Sequence, residues 1–123
     1  PGQPKLLNLL QDQNRTSCKT GGCTKAQILA GATGVAFDAD RNLAFVASEY
    51  AKTFVVVDVS RDPVKVVGVA RHNQLSGEAI QYDNKRQRAF VVSRQASALL
   101  VVDVADMLEP SVIGVLSSKK RGG

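Results

Sequence analysis

The stretch Thr53-Phe-Val-Val-Val-Asp-Val59 returns as Ala98-Leu-Leu-Val-Val-Asp-Val104, so positions 53 and 98 open the same apolar run ending in Asp. A period of about 45 residues is the mark of a modular architecture, in which each unit buries its apolar face by stacking on its neighbours. The match extends beyond the run. Val35-Ala-Phe-Asp38 pairs with Ile80-Gln-Tyr-Asp83, and Leu43-Ala-Phe-Val-Ala-Ser48 pairs with Arg88-Ala-Phe-Val-Val-Ser93. Each apolar run is followed by a proline, Pro63 or Pro110, and then by a stretch containing glycine, Val66-Val-Gly-Val69 or Val112-Ile-Gly-Val115.

The segments between turn signals have the usual length of strands, about five to seven residues. Their β-branched and aromatic content favours a pleated surface over a helix. Asp38-Ala-Asp-Arg-Asn42 and Asp83-Asn-Lys-Arg-Gln87 carry hairpin chemistry, because Asp and Asn side chains bond their own backbone. The pattern predicts four strands per repeat, at 33–38, 43–48, 53–59 and 65–71, then 78–83, 88–93, 98–104 and 112–117. The third strand of each repeat is apolar throughout, which predicts burial on both of its faces and makes Val56 and Val101 equivalent buried positions. An extra strand is expected at 5–10, which follows Pro4 as Val66 to Val69 follow Pro63. The chain then divides into 1–32 (that strand and a polar loop), the repeats 33–75 and 76–117, and a basic tail at 118–123. An all-β chain is expected, without a helix longer than two turns.

Val55-Val-Val-Asp58-Val-Ser with Pro63 and Gly68, and Leu100-Val-Val-Asp103-Val with Pro110 and Gly114, resemble the LVIVD-type β-propeller repeat. The resemblance covers 33–117 and implies one four-stranded antiparallel blade per repeat, packed around a central axis. The chain departs from the pattern where Ala105 replaces the Ser after Asp-Val and where Met107-Leu108 lengthens the second linker. Propellers generally close with four or more blades. Two blades and one strand therefore make an incomplete propeller, with strand edges and blade faces left to pair with something else. The remainder of a longer parent chain, identical copies, or a different protein would each complete it. Leu6, Leu7, Leu9 and Leu10 offer apolar side chains to both faces of the extra strand and are candidate interface residues.

Composition narrows the function classes. The net charge is +5, but Lys119, Lys120 and Arg121 supply three of those charges in the tail. Outside it only Lys85, Arg86 and Arg88 cluster, at a hairpin turn, which is not the basic face with interleaved aromatics that nucleic acid requires. No apolar stretch approaches the ~20 residues that span a bilayer. The chain opens Pro1-Gly-Gln-Pro4, without initiator Met or signal peptide, as expected of a piece processed from a longer product. The basic run before Gly122-Gly123 is either a cleavage signal or a solvated tail. Cys18-Lys-Thr-Gly-Gly-Cys23 lacks the four ligands of a structural zinc site. It is read as a small disulfide loop or as two free thiols. The disulfide, with the glycosylation triplet Asn14-Arg-Thr16, suits a secreted or cell-surface location. A subunit of an intracellular assembly is the alternative.

No catalytic, cofactor or metal constellation stands out. Asp38, Asp40, Asn42 and Glu49 match part of a calcium loop, but Leu43 occupies the place of its glycine, so these residues are read as a hairpin turn. Asp58 and Asp103 recur in both repeats with Gly68 and Gly114, and recurrence marks scaffold residues. His72 and Glu78 form an acid–base pair on paper, without a nucleophile beside them. Ser48 and Ser93 have no base in view. Thr33-Gly-Val-Ala36 and Ser76-Gly-Glu-Ala79 lack the further glycines and the Lys of a phosphate loop. The reading is a non-catalytic propeller segment that mediates protein–protein interaction. Its alternatives are a slice of a propeller hydrolase or oxidoreductase whose site needs absent blades, and a lectin-like ligand-binding propeller.

Overall fold

A computed structural model of the chain describes residues 28–118. It contains eight strands and, among the described residues, no helix. β1 (Ala32–Asp38), β2 (Leu43–Ser48), β3 (Thr53–Asp58) and β4 (Lys65–Arg71) form one antiparallel sheet in sequence order. β5 (Ala79–Asp83), β6 (Arg88–Ser93), β7 (Ala98–Asp103) and β8 (Ser111–Ser117) form the second. The chain is all-β, an incomplete propeller of two four-stranded blades, and the strand limits fall within one residue of those the repeat predicts. The proposed strand at 5–10, with its leucines, lies outside the described residues, as do Asn14, Cys18, Cys23 and the tail from 119 onward.

The two blades repeat their turns bond for bond. Asp38 Oδ1 accepts from the N–H groups of Asp40 and Arg41 at 3.0 and 3.3 Å, and Asp83 Oδ1 accepts from Lys85 and Arg86 at the same two distances. Asn42 and Gln87 close these turns in the left-handed region, at φ 55° and 54°, and Lys52 and Ser97 do so in the next hairpin. The side chain of the opening Asp satisfies amides that the turn leaves outside the ladder, which is why the hairpin starts there. Each β3–β4 or β7–β8 pairing then shifts register once, between Val56 and Val57 and between Val101 and Val102. Such a bulge adds twist and bends the outer strand.

Alternation along the strands gives each blade a forward and a rear face. In blade 1 the forward face carries Phe45, Ala47, Phe54, Val56 and Ala70, all buried. They join Ala89, Val91, Leu100 and Val102 from the rear face of blade 2 in one core, with Leu75 of the connecting loop between them. Phe45 stacks on Phe54 with centroids 5.6 Å apart and meets Tyr82 of blade 2 at 5.0 Å. A smaller cluster on the rear of blade 1 gathers Val55, Val57 and Val64 around Ile28.

The expectation of two-sided burial holds for β3, where Thr53 to Val57 are all buried, and fails for β7. There Ala98, Leu100 and Val102 are buried, while Leu99 and Val101 are only partly covered. Val56 is fully buried and Val101 is not, although the repeat makes them equivalent. The reason is position. Val56 faces blade 2, and Val101 faces outward from the far side of blade 2, where the described chain has nothing further to stack.

Candidate interaction site: the seam and the open forward face

The seam between the blades is held by one polar cluster as well as by its apolar core. Asp38 is buried at the end of β1, and its Oδ2 accepts from Arg41 Nε at 2.7 Å and from the Tyr82 hydroxyl at 2.9 Å. Arg41 Nη2 donates to the Tyr82 oxygen at 3.1 Å. Its Nη1 donates to the backbone carbonyls of Val104 and Ala105 at 2.9 and 3.2 Å. One guanidinium therefore ties a blade 1 turn to a strand and a linker of blade 2, using the planar fork of donors that suits arginine to this task. Asn84 adds a bond to Asp40 at 2.7 Å across the same seam.

Burial pushes the Asp38 carboxyl up, but the bonds from Arg41 and Tyr82 outweigh it and hold the group below the ordinary carboxylate range. Burial and the neighbouring Asp38 raise the Tyr82 phenol. The cluster is thus a carboxylate, a guanidinium and a neutral phenol. These are bonded to one another and to backbone, and the arrangement is a clamp.

The second repeat carries the same turn without the partner. Arg86 Nη1 pairs with Asp83 Oδ2 at 3.0 Å, and this bond pulls the Asp83 carboxyl down. Arg86 is 68% exposed where Arg41 is 22% exposed. Beside it lies the forward face of blade 2, formed by Phe90, Val92, Leu99, Val101 and Leu116, with Val92 48% and Leu116 70% exposed. These residues stand where blade 1 has Phe45, Ala47, Phe54, Val56 and Ala70.

The repeat glycines follow the same division. A Cβ on Gly68 would strike the Met107 carbonyl oxygen and lie 2.8 Å from Pro110 Cδ, so the blade 2 linker reaches the blade 1 backbone only because a glycine is there. At Gly114 a Cβ would meet only its own blade's Val101, at 3.6 Å and beyond. Asp58 and Asp103 close turns. Asp58 Oδ1 accepts from Ser60 N and Oγ at 2.9 and 2.6 Å, and Asp103 Oδ1 accepts from Ala105 N at 2.9 Å. The Ser60 hydroxyl and amide lower the Asp58 carboxyl.

The other polar residues weighed for chemistry are not brought together. His72 Nδ1 accepts from Gln74 N at 3.1 Å, and Glu78 pairs with Arg94 at 3.4 Å. Ser93 Oγ accepts from Ser76 N at 3.0 Å, while Ser48 Oγ is buried without a partner. Among the described residues no group of three or more His, Cys, Asp or Glu is placed to hold a metal ion. No helix among them is long and apolar enough to cross a membrane. A shallow depression lined by Ala32, Thr33, Gly34, Val35 and Val46 offers no ionisable side chain. Sequence reasoning missed Arg41, Tyr82 and Arg86. The signal was present as Asp-x-x-Arg at 38–41 and again at 83–86.

Neither protein-family models nor curated proteins match the sequence. Solved structures match the fold. Saccharomyces cerevisiae Sqt1 superposes with a TM-score of 0.61 at 8% identity, over 72% of this chain and 24% of its own. A protein from Desulfotomaculum acetoxidans gives 0.63 at 16% identity, over 74% and 28%. Kuenenia stuttgartiensis hydrazine synthase gives 0.60 at 18%, over 72% and 24%. At these identities the likeness shows a propeller-type fold and no more. The chain spans about a quarter of the length of the structures it matches.

Proposed function

We propose that the chain is a non-catalytic β-propeller segment of the LVIVD repeat type that acts by protein–protein interaction, within a larger protein or a multi-subunit assembly. The observation that carries this reading is the open forward face of blade 2. It is built from the same repeat positions as the forward face of blade 1, which is buried under a neighbouring blade. A contiguous apolar surface of this kind is characteristic of interaction sites. The non-catalytic part is supported by the polar groups, since Asp38, Arg41, Tyr82, Asp58 and Asp103 are engaged in turns and seam. Cys18, Cys23 and the triplet at Asn14 support a secreted or cell-surface setting, with the Cys pair as a disulfide.

The test is a photo-crosslinking amino acid placed at position 116 or at position 70 of the protein expressed in its native cells. Position 116 is expected to form adducts with another protein segment. Position 70, its buried equivalent, is expected to react only within the two blades. Absence of any adduct at 116 would contradict the reading.

A further inference from the structure

We propose that Asp83 and Arg86 form an open latch for a following blade that presents a tyrosine hydroxyl at the place Tyr82 occupies in the seam. The inference deepens the interaction reading above and rests on it, by stating the chemistry of the partner.

The seam shows what the latch takes. Arg41 and Asp38 receive three things from blade 2: the phenol of Tyr82 and the two linker carbonyls of Val104 and Ala105. Arg86 and Asp83 share the turn geometry and the spacing and also form an ion pair, made through Nη1 where Arg41 uses Nε, and the guanidinium stands in solvent. The apolar surroundings repeat as well. Phe45 packs on the Tyr82 ring, and its counterpart Phe90 is only partly covered on the open face. Gly114 repeats the glycine that lets a neighbour's linker approach at Gly68. The open face therefore repeats four seam elements of the blade 1 side, namely carboxylate, guanidinium, ring and glycine, while Lys85 and Arg88 stand where the seam has Asp40 and Leu43.

The same comparison decides against a second copy of this chain as the occupant. The other outward blade face is the rear of blade 1, whose centre is packed under Ile28 and whose residue equivalent to Tyr82 is Phe37, 53% exposed. Phe37 supplies a ring to Phe90 but no hydroxyl. Docking it would bury the Asp83 oxygen and an Arg86 N–H facing a carbon edge, and a buried polar group left unpaired opposes association. The blade that fits is one with Tyr at this first-strand position and two free linker carbonyls.

The experiment uses the full chain and asks whether one oxygen creates the fit. Phe37→Tyr lies on an exposed ring and leaves folding intact. Sedimentation velocity across a hundredfold concentration range is expected to show at least a tenfold tighter head-to-tail association for F37Y than for the unaltered chain. Adding Arg86→Gln, at an exposed side chain, is expected to return the association constant to the unaltered value. Association unchanged in F37Y, or surviving R86Q, overturns the latch. Arg86-dependent association already present with Phe37 also overturns it and makes a second copy the occupant. If the latch fails while position 116 still forms adducts, the open face remains an interaction surface and only its stated chemistry is wrong.

Discussion

The forward faces of the two blades occupy the same repeat positions in different circumstances. In blade 1, Phe45, Phe54, Val56 and Ala70 are closed under blade 2, and Arg41 clamps the rim. In blade 2, Phe90, Leu99, Val101 and Leu116 occupy the same positions, with Arg86 on the rim, and solvent reaches all of them. The difference teaches that burial in a repeat protein is a property of the neighbour as much as of the residue. A residue can be apolar, central in its sheet and equivalent to a core position, and still wait for its core.

The sharpest way to break that comparison is to put a charge at each equivalent valine. Val56→Asp should lower stability by roughly 4 kcal/mol or more, because an unpaired carboxylate would be buried in the seam. Val101→Asp should cost about 1 kcal/mol or less, since its carboxylate reaches water. Urea unfolding of the two variants reads the difference directly, and equal losses would mean the faces are not in different environments.

The rim arginines provide the next contrast. Arg41→Gln leaves the buried Asp38 carboxylate without its cationic partner and removes the bonds to the blade 2 linker, and should cost roughly 3 kcal/mol. Arg86→Gln removes an exposed pair and should cost about 0.5 kcal/mol or less in the chain by itself. Thermal denaturation of both variants at low salt checks the ratio.

The repeat period, the Asp-initiated hairpins and the alternation of apolar residues made strand order and limits legible, since each rests on local chemistry that recurs. What each face meets was not legible. The runs at 53–59 and 98–104 are nearly identical in character, so no local rule separates buried Val56 from half-covered Val101. The polar clamp was hidden for a related reason. Asp38 and Arg41 read as an ordinary turn, and their bonds to Tyr82, Val104 and Ala105 cross about 40 to 65 residues, which pattern alone does not register. Comparison of Phe37 with Tyr82 was the available clue, because the hydroxyl that bonds Asp38 and Arg41 is present at only one of the two equivalent positions.

Gly68 and Gly114 sharpen the comparison at the backbone. Gly68→Ala forces a Cβ against the Met107 carbonyl and should cost about 1–3 kcal/mol. Gly114→Ala has room and should be neutral, or stabilising by about 0.5 kcal/mol, because alanine loses less entropy in a strand. Chemical denaturation midpoints distinguish the two.

The smallest effect expected is a pH dependence. The Asp38 carboxyl is held low in the folded chain, so its stabilisation is complete above the unfolded value of about 3.9 and fades as pH falls through the lower folded value. Melting temperatures measured from pH 7 to pH 2 should therefore fall below about pH 4. Asp38→Asn should be less stable at pH 7 and should show a shallower fall in acid.

The most direct test extends the chain by a copy of residues 73–118 placed after Ser118, which supplies a third blade with its own Tyr82 and linker carbonyls. Val101→Asp and Val56→Asp are then compared by urea unfolding in the extended protein. The account predicts that Val101→Asp, mild in the two-blade chain, becomes as damaging as Val56→Asp once blade 2 has a neighbour. If Val101→Asp stays mild while the added blade is folded, the forward face of blade 2 is not an unmet copy of the seam, and the central claim is contradicted.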